Sequence, residues 1–303
     1  MLPALLTVFL FAGSAVAGER TARCWGSQTG NLLRLTLATL LLGTITLLLW
    51  PDSLHPATYT WLFASGMIGF GFGDIALFLA YVRIGARLTI LLNLCTAPLW
   101  STVVEGLWLG QVPGALELCA GAVILGGVVM AVMSRQADSH QRLGSPIVGV
   151  ACGLLAGCGQ GLGAVLSRKA LDVAADTGIV MNGMSAATQR VSGGLLTTLL
   201  VFLVLRFLVR TPAAPVVPAS VRVKSAWLLA TTLCGPVLGV SCFQWALAGQ
   251  TAGVVTAVVA TTPIAMIPMV MGADKEHPRP MSVAGAVVAV AGVLLLLKAQ
   301  GQW

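Results

Sequence analysis

The feature that most limits what this chain can fold into is the recurrence of apolar segments about 17 to 25 residues long, joined by connectors too short to form domains. As α-helix, about 20 such residues cross a hydrocarbon core of roughly 30 Å. Ten segments can be placed: helix 1 at 2–18, helix 2 at about 29–50, helix 3 at 59–81, helix 4 at 87–109 and helix 5 at 114–133. Helix 6 follows at 146–167, helix 7 at 182–209, helix 8 at 225–248, helix 9 at 252–272 and helix 10 at 281–298. Charged residues make up 9% of the chain, against roughly 25% in soluble domains, and the mean hydropathy is +0.93. The expectation is an all-α, polytopic membrane protein with ten transmembrane helices and no room for a soluble catalytic domain.

The first segment poses a choice. Ala15-Val16-Ala17 before Gly18 imitates a signal-peptidase site. The residues ahead of the apolar run carry no Lys or Arg, however, while Arg20 and Arg23 follow it. A signal peptide has the opposite charge order, so an uncleaved first helix is expected.

The chain repeats itself. Helices 4 and 9 each carry an Ala-Pro or Thr-Pro step, Ala97-Pro98 and Thr262-Pro263, then break and lead into a Gly/Ala/Val helix. Pro98 to Gly127 spans 29 positions, as does Pro263 to Gly292. Arg34 opens RLTLATLLL in helix 2, and Arg190 opens RVSGGLLTTLL in helix 7. Residues 1–133 therefore read as one five-helix unit, 134–145 as the loop between units and 146–303 as the second unit. Because five is odd, the second unit enters the membrane with opposite orientation, giving an inverted repeat.

This ensemble resembles an EamA-type member of the drug/metabolite transporter superfamily over essentially the whole length. The resemblance rests on the Arg34 and Arg190 helix starts, the Pro98 and Pro263 helices, and the Gly-rich helices ending each half. It expects an acid 13 positions after each proline. Glu276 supplies it in the second half, whereas the first half has Gln111. The resemblance implies a central cavity lined by helices 1–4 and 6–9, with helices 5 and 10 peripheral, and a small metabolite, amino acid or drug as substrate, often moved outward.

Charge gives the orientation independently. Connectors after the odd-numbered helices hold twelve Lys and Arg, among them Arg20, Arg23, Arg83, Arg87, Arg222 and Lys224; the opposite set holds three, Arg168, Lys169 and Lys298. The positive-inside rule then puts the odd connectors in the cytoplasm and both termini outside, against the family's usual cytoplasmic termini. The net charge of +7 thus speaks for anionic lipid headgroups and not for nucleic acid.

Charged groups at membrane depth are costly, by roughly 2.5–3.5 kcal/mol on insertion scales, and each needs a reason. Asp74, in GMIGFGFGD, is the one carboxylate clearly inside a helix. It reads either as a protonatable or amine-binding group facing a cavity, or as a partner of Arg34 or another internal base. Arg190 and Arg34 could hold an anion, pair with a carboxylate or snorkel to the headgroups. Glu105 and Glu117 read as solvated interfacial acids. Asn93 and Thr96 before Pro98, Thr261 and Thr262 before Pro263, Gln160 in helix 6, and Gln244 with Trp245 in helix 8 complete the candidate substrate-binding set. Proline frees a carbonyl four residues back, so helices 4 and 9 can bend and present polar groups. Gly149, Gly153, Gly157 and Gly161 share one face of helix 6 and admit a close neighbour.

Several motifs carry no chemistry here. Gly159-Gln160-Gly161-Leu162-Gly163 and GFGFGD lie inside apolar helices without a βαβ setting for phosphate. His55, His140 and His277 fall in separate loops, and the seven cysteines show no CxxC spacing, so no metal or cofactor is expected. With no Walker motif and no hydrolytic constellation, an enzyme and direct use of ATP are not expected. The reading is a secondary active carrier in the cell membrane, an exporter of a small polar metabolite, amino acid or drug, working by alternating access with proton coupling through Asp74. The alternative is a non-transporting membrane protein, a lipid-binding scaffold or intramembrane enzyme. Helices 5 and 10, rich in Gly and Ala, suit a homodimer contact or intramolecular packing equally.

Overall fold

The structure, a computed structural model, describes residues 2–109, 114–133, 144–208, 216–249, 252–274 and 279–299. Among these there are no strands, and ten helices are long and apolar enough to span a membrane. In chain order they are α1 (Leu2–Trp25), α2 (Ser27–Leu49), α3 (Pro56–Ile84), α4 (Ala86–Leu109) and α5 (Ala115–Met133). Then come α6 (Pro146–Asp176), α7 (Gly183–Phe207), α8 (Val221–Gly249), α9 (Val255–Gly272) and α10 (Pro280–Ala299). Gln111, Glu276 and residues 134–143 of the inter-unit loop lie outside the described residues, as does the side chain of Glu105.

Two helices end well beyond where the sequence suggested, and one of them, α6, continues past 167 to Asp176. α1 runs on to Trp25, and a single residue, Gly26, turns the chain directly into α2. Gly26 has φ +82°, and Gly85, which alone joins α3 to α4, has φ +81°. A side chain is disfavoured at such angles, so these one-residue turns need glycine. The Glu19 carboxylate accepts from Ala86 N at 2.7 Å, filling an open donor at the start of α4, and pairs with Arg23 at 2.6 Å.

Three of the basic residues expected at one side, Arg20, Arg23 and Lys224, lie close together. Arg20 lies over the Trp227 ring at 4.6 Å and Lys224 over Trp25 at 5.8 Å. Val217 N donates to Arg23 O at 2.8 Å. The end of α1, the α3–α4 turn and the start of α8 thus meet at one end of the bundle. Arg168 sits in the last third of α6, paired with Asp172 at 2.9 Å.

Glycine sets how closely the helices approach. The four-spaced face of α6 lies along the end of α3 and then along α4: a Cβ on Gly149 would meet Ile84 and Arg83 of α3, on Gly153 Leu92, on Gly157 Thr96, and on Gly161 the Ala97 carbonyl and Trp100 Cβ of α4. From Gly153 to Gly161 each step of four on α6 meets a step of four on α4, Leu92 to Thr96 to Trp100, the register of two closely packed helices. On α5 and α10, Gly127 and Gly285 face each other, and Gly292 faces Ile124. The small residues of these two helices are therefore used on each other, and both stay away from the centre of the bundle.

The neighbour relations have a pattern. α4 packs along α6 as α9 packs along α1, and α3 contacts α6 and α7 as α8 contacts α1 and α2. Polar pairs stitch these contacts: Ser14 and Thr231 hydroxyls at 3.3 Å join α1 to α8, Thr46 and Thr188 at 2.7 Å join α2 to α7, and Ser65 and Ser167 at 2.9 Å join α3 to α6. Such bonds between transmembrane helices are each worth about 0.6 to 2 kcal/mol.

A charged cavity at the centre of the bundle

Two of the spans widen where they face the centre. α3 makes π-type turns over Met67–Gly73 and α8 over Leu233–Val237, the latter containing Pro236. A π turn shifts the register of the side chains that follow. On α3 it leads directly into Asp74, and on α8 it brings Gly235 and Pro236 to the same space.

That space is a cavity lined by seven spans. α1 contributes Phe11 and Ser14, α2 Arg34, α3 Phe70, Asp74, Leu77 and Tyr81, α4 Ile90, Asn93 and Leu94, α6 Gln160, α7 Arg190, and α8 Gly235, Pro236 and Val240. Water centres have about 50 Å³ within it, room for a few waters at roughly 10–15 Å³ each. The charged residues on its wall are Arg34, Asp74 and Arg190.

Arg34 is buried, 4% exposed, because α2 begins at Ser27 and carries it about two turns into the helix. Snorkelling to the headgroups is thus excluded for it. Its guanidinium donates to Asp74 and, at 3.1 Å, to Asn31 Oδ1, and it sits 4.7 Å from the Phe78 ring centroid. Of the two readings of Asp74, the pairing with Arg34 is present, and the carboxylate also lines the cavity.

Arg190 differs. It is 1% exposed, lies near the Phe70 and Phe243 rings at 5.1 and 6.0 Å, and makes no ion pair among the described residues, while Nε lacks a hydrogen-bond partner in both arginines. Gly69 and Gly163 leave the room its guanidinium occupies, since a Cβ on either would press on Nη2. Asn93 Oδ1 is likewise buried without a partner.

Of the nine candidates read from sequence, Asp74, Asn93, Gln160 and Arg190 come together on this wall. The other five lie elsewhere. Thr96 donates to Leu92 O at 2.5 Å within its own helix. Gln244 donates to Ser167 at 3.1 Å and extends the Ser65–Ser167 pair to α8. Trp245 is 60% exposed on the outside of the bundle, so it is not an aromatic wall of the cavity. Thr261 and Thr262 donate to Val258 O and Val259 O at 2.6 and 2.5 Å. Val259 is four residues before Pro263, so the Thr262 hydroxyl takes the carbonyl that proline leaves free. Here the span α9 is interrupted between two helical pieces, Ala252–Val259 and Thr262–Asp274, that reach slightly beyond it at either end, whereas Pro98 lies inside an unbroken α4.

Sequence reasoning missed Tyr81, Ser14 and Phe70. Tyr81 carried a signal: it lies seven residues after Asp74, hence on the same helical face. It is also one of only two tyrosines in the chain.

The fold and cavity define an all-helical, ten-span membrane protein with buried charge at its centre. Residues 1–133, the first five spans, match the model of the EamA-like transporter family. That match covers 133 of the 303 residues and is consistent with an EamA-type protein of the drug/metabolite transporter superfamily. No curated protein matches. A solved crystal structure, 16% identical, aligns over 99% of this chain and 97% of its own with a TM-score of 0.63. At that identity the likeness concerns the fold alone.

Proposed function

We propose that the protein is a secondary active carrier that exports a small polar metabolite, amino acid or drug across the cell membrane by alternating access. The observation that carries this reading is the central cavity: a space with room for water, walled by seven spans and holding two buried arginines and the half-buried Asp74. A scaffold gains nothing from such a space, since charge inside a bilayer is costly unless it serves a substrate or ion path.

Two five-helix units, 1–133 and 146–303, rock against each other around this cavity. Support comes from the paired neighbour relations and from a shared interval. Phe243 follows Phe78 by 165 positions, the interval from Pro98 to Pro263. Each of these rings lies beside the buried arginine of its own unit. The basic end of the bundle, with Arg20, Arg23, Arg83 and Lys224, faces the cytoplasm in this account, and both termini lie outside. Asp74 is the coupling group: a proton that reaches it disrupts the Arg34 pair and frees the guanidinium to move.

The test is counterflow in proteoliposomes loaded with a panel of unlabelled metabolites, amino acids and drugs. Saturable accumulation of at least one labelled compound, above that of protein-free vesicles, is expected. Asp74→Asn should keep counterflow but lose acceleration by a pH gradient. Transport by Asp74→Asn equal to wild type with and without the gradient removes the coupling role, and no counterflow of any compound removes the carrier.

A further inference from the structure

The two buried arginines are not matched by two buried acids. On the 165-position interval that relates Pro98 to Pro263 and Phe78 to Phe243, the counterpart of Asp74 is Gly239. Among the described residues, the first unit brings its own counter-ion for Arg34, and the second brings none into direct contact with Arg190. The coordinates agree without any appeal to the repeat. Arg34 is paired directly with Asp74, whereas Arg190 has no ion pair or hydrogen bond among the described residues: it lies beside two aromatic rings and feels Asp74 only at longer range. The charged residues on the cavity wall, two arginines and one aspartate, leave it formally at +1.

We infer that Arg190 is the binding group for the substrate's negative charge, and that the substrate is a small monoanion, a carboxylate on an apolar or aromatic body. This rests on the carrier reading above and narrows it. A guanidinium 1% exposed on the wall of a cavity with room for water gains most from a planar carboxylate, which accepts from two of its N–H groups at once. Asn93 Oδ1, the Gln160 amide and the Tyr81 hydroxyl stand on the same wall for further polar contacts. Phe11, Phe70 and Leu77 offer the apolar part of the molecule a surface. A cationic amine has no site of its own, because Asp74 is already held by Arg34. One anionic charge brings the cavity to neutrality; a dianion or a cation leaves it charged in low dielectric, which is costly.

Equilibrium binding of radiolabelled benzoate to the purified full-length protein in detergent tests this, with benzamide and benzylamine as the neutral and cationic analogues and chloride as competitor. Saturable binding of benzoate is expected, with little displacement by the other three. Arg190→Gln should weaken it roughly thirtyfold or more, the loss typical of truncating one side of a buried charge contact, with Arg190→Lys intermediate. Asn93→Asp is nearly isosteric, so it guards against misfolding as the explanation, and by adding a negative charge to the wall it should weaken benzoate as well. Absence of benzoate binding, equal binding of benzamide, displacement by chloride at equal concentration, or unchanged affinity in both Arg190→Gln and Asn93→Asp overturns the assignment. Counterflow separates the two readings. Benzoate that binds without exchanging across vesicles leaves the anion site standing without the carrier, and exchange confined to neutral or cationic compounds leaves the carrier without the anion site.

Discussion

Arg34 on α2 and Asp74 on α3 form an ion pair inside the bundle, and the same guanidinium lies 4.7 Å from the centroid of the Phe78 ring, one turn along α3 from its partner. Both side chains are largely withdrawn from solvent, 5% and 14% exposed. Removing one member of such a pair leaves the other charge buried and uncompensated. Asp74→Ala should therefore cost on the order of 3 kcal/mol of stability. The double variant Arg34→Gln/Asp74→Asn should cost less than the sum of the single changes, because neither charge is then stranded. Unfolding midpoints in detergent micelles measure this.

The glycine face of α6 makes a second prediction. A Cβ at Gly157 meets the Thr96 hydroxyl and, at 3.0 Å, the Asn93 carbonyl, whereas one at Gly126 on α5 meets nothing within 4 Å. Gly157→Ala should destabilise by about 1–3 kcal/mol, the usual cost of overpacking. Gly126→Ala should be neutral or slightly stabilising, by about 0.5 kcal/mol, since alanine gives up less backbone freedom in a helix. The same unfolding assay compares them.

At the break in α9, Thr262→Val should remove the donor to Val259 O and cost about 1 kcal/mol. Because Thr262 is used on its own backbone and lies off the cavity wall, substrate affinity should be unchanged. A fall in affinity at unchanged stability would return this residue to the binding site.

Topology can be read directly. A green fluorescent reporter fused after Trp303 should stay dark, and a phosphatase fused there should be active, because the basic end of the bundle is assigned to the cytoplasm. The converse pair of readouts would invert the protein.

What the sequence disclosed, and what it withheld, follows from helix geometry. The ten spans were legible because a hydrophobic run of that length has few other fates in water or lipid. The α6 glycines were legible because a spacing of four repeats nearly once per turn and so marks one face. The depth of Arg34 was not, because it depends on α1 and α2 being joined by Gly26 alone, with Arg20 and Arg23 inside α1. Nor could the sequence choose between Gln244 and Trp245. Adjacent residues point about 100° apart on a helix, and which faces the bundle is decided by where α8 packs. Gln244 is buried and Trp245 faces outward. The widened turns of α3 and α8, which set the register of Asp74 and Pro236, have no reliable sequence mark beyond glycine and proline.

The most direct measurement is access to the cavity from each side of the membrane. Asn93, on the wall of that space and 7% exposed, would be changed to cysteine in a background with the seven native cysteines replaced. A membrane-impermeant maleimide would then be applied to sealed vesicles of each orientation. Alternating access predicts labelling from both sides, with transported substrate slowing both reactions. Labelling from neither side, or from one side only whatever substrate or gradient is present, would contradict it.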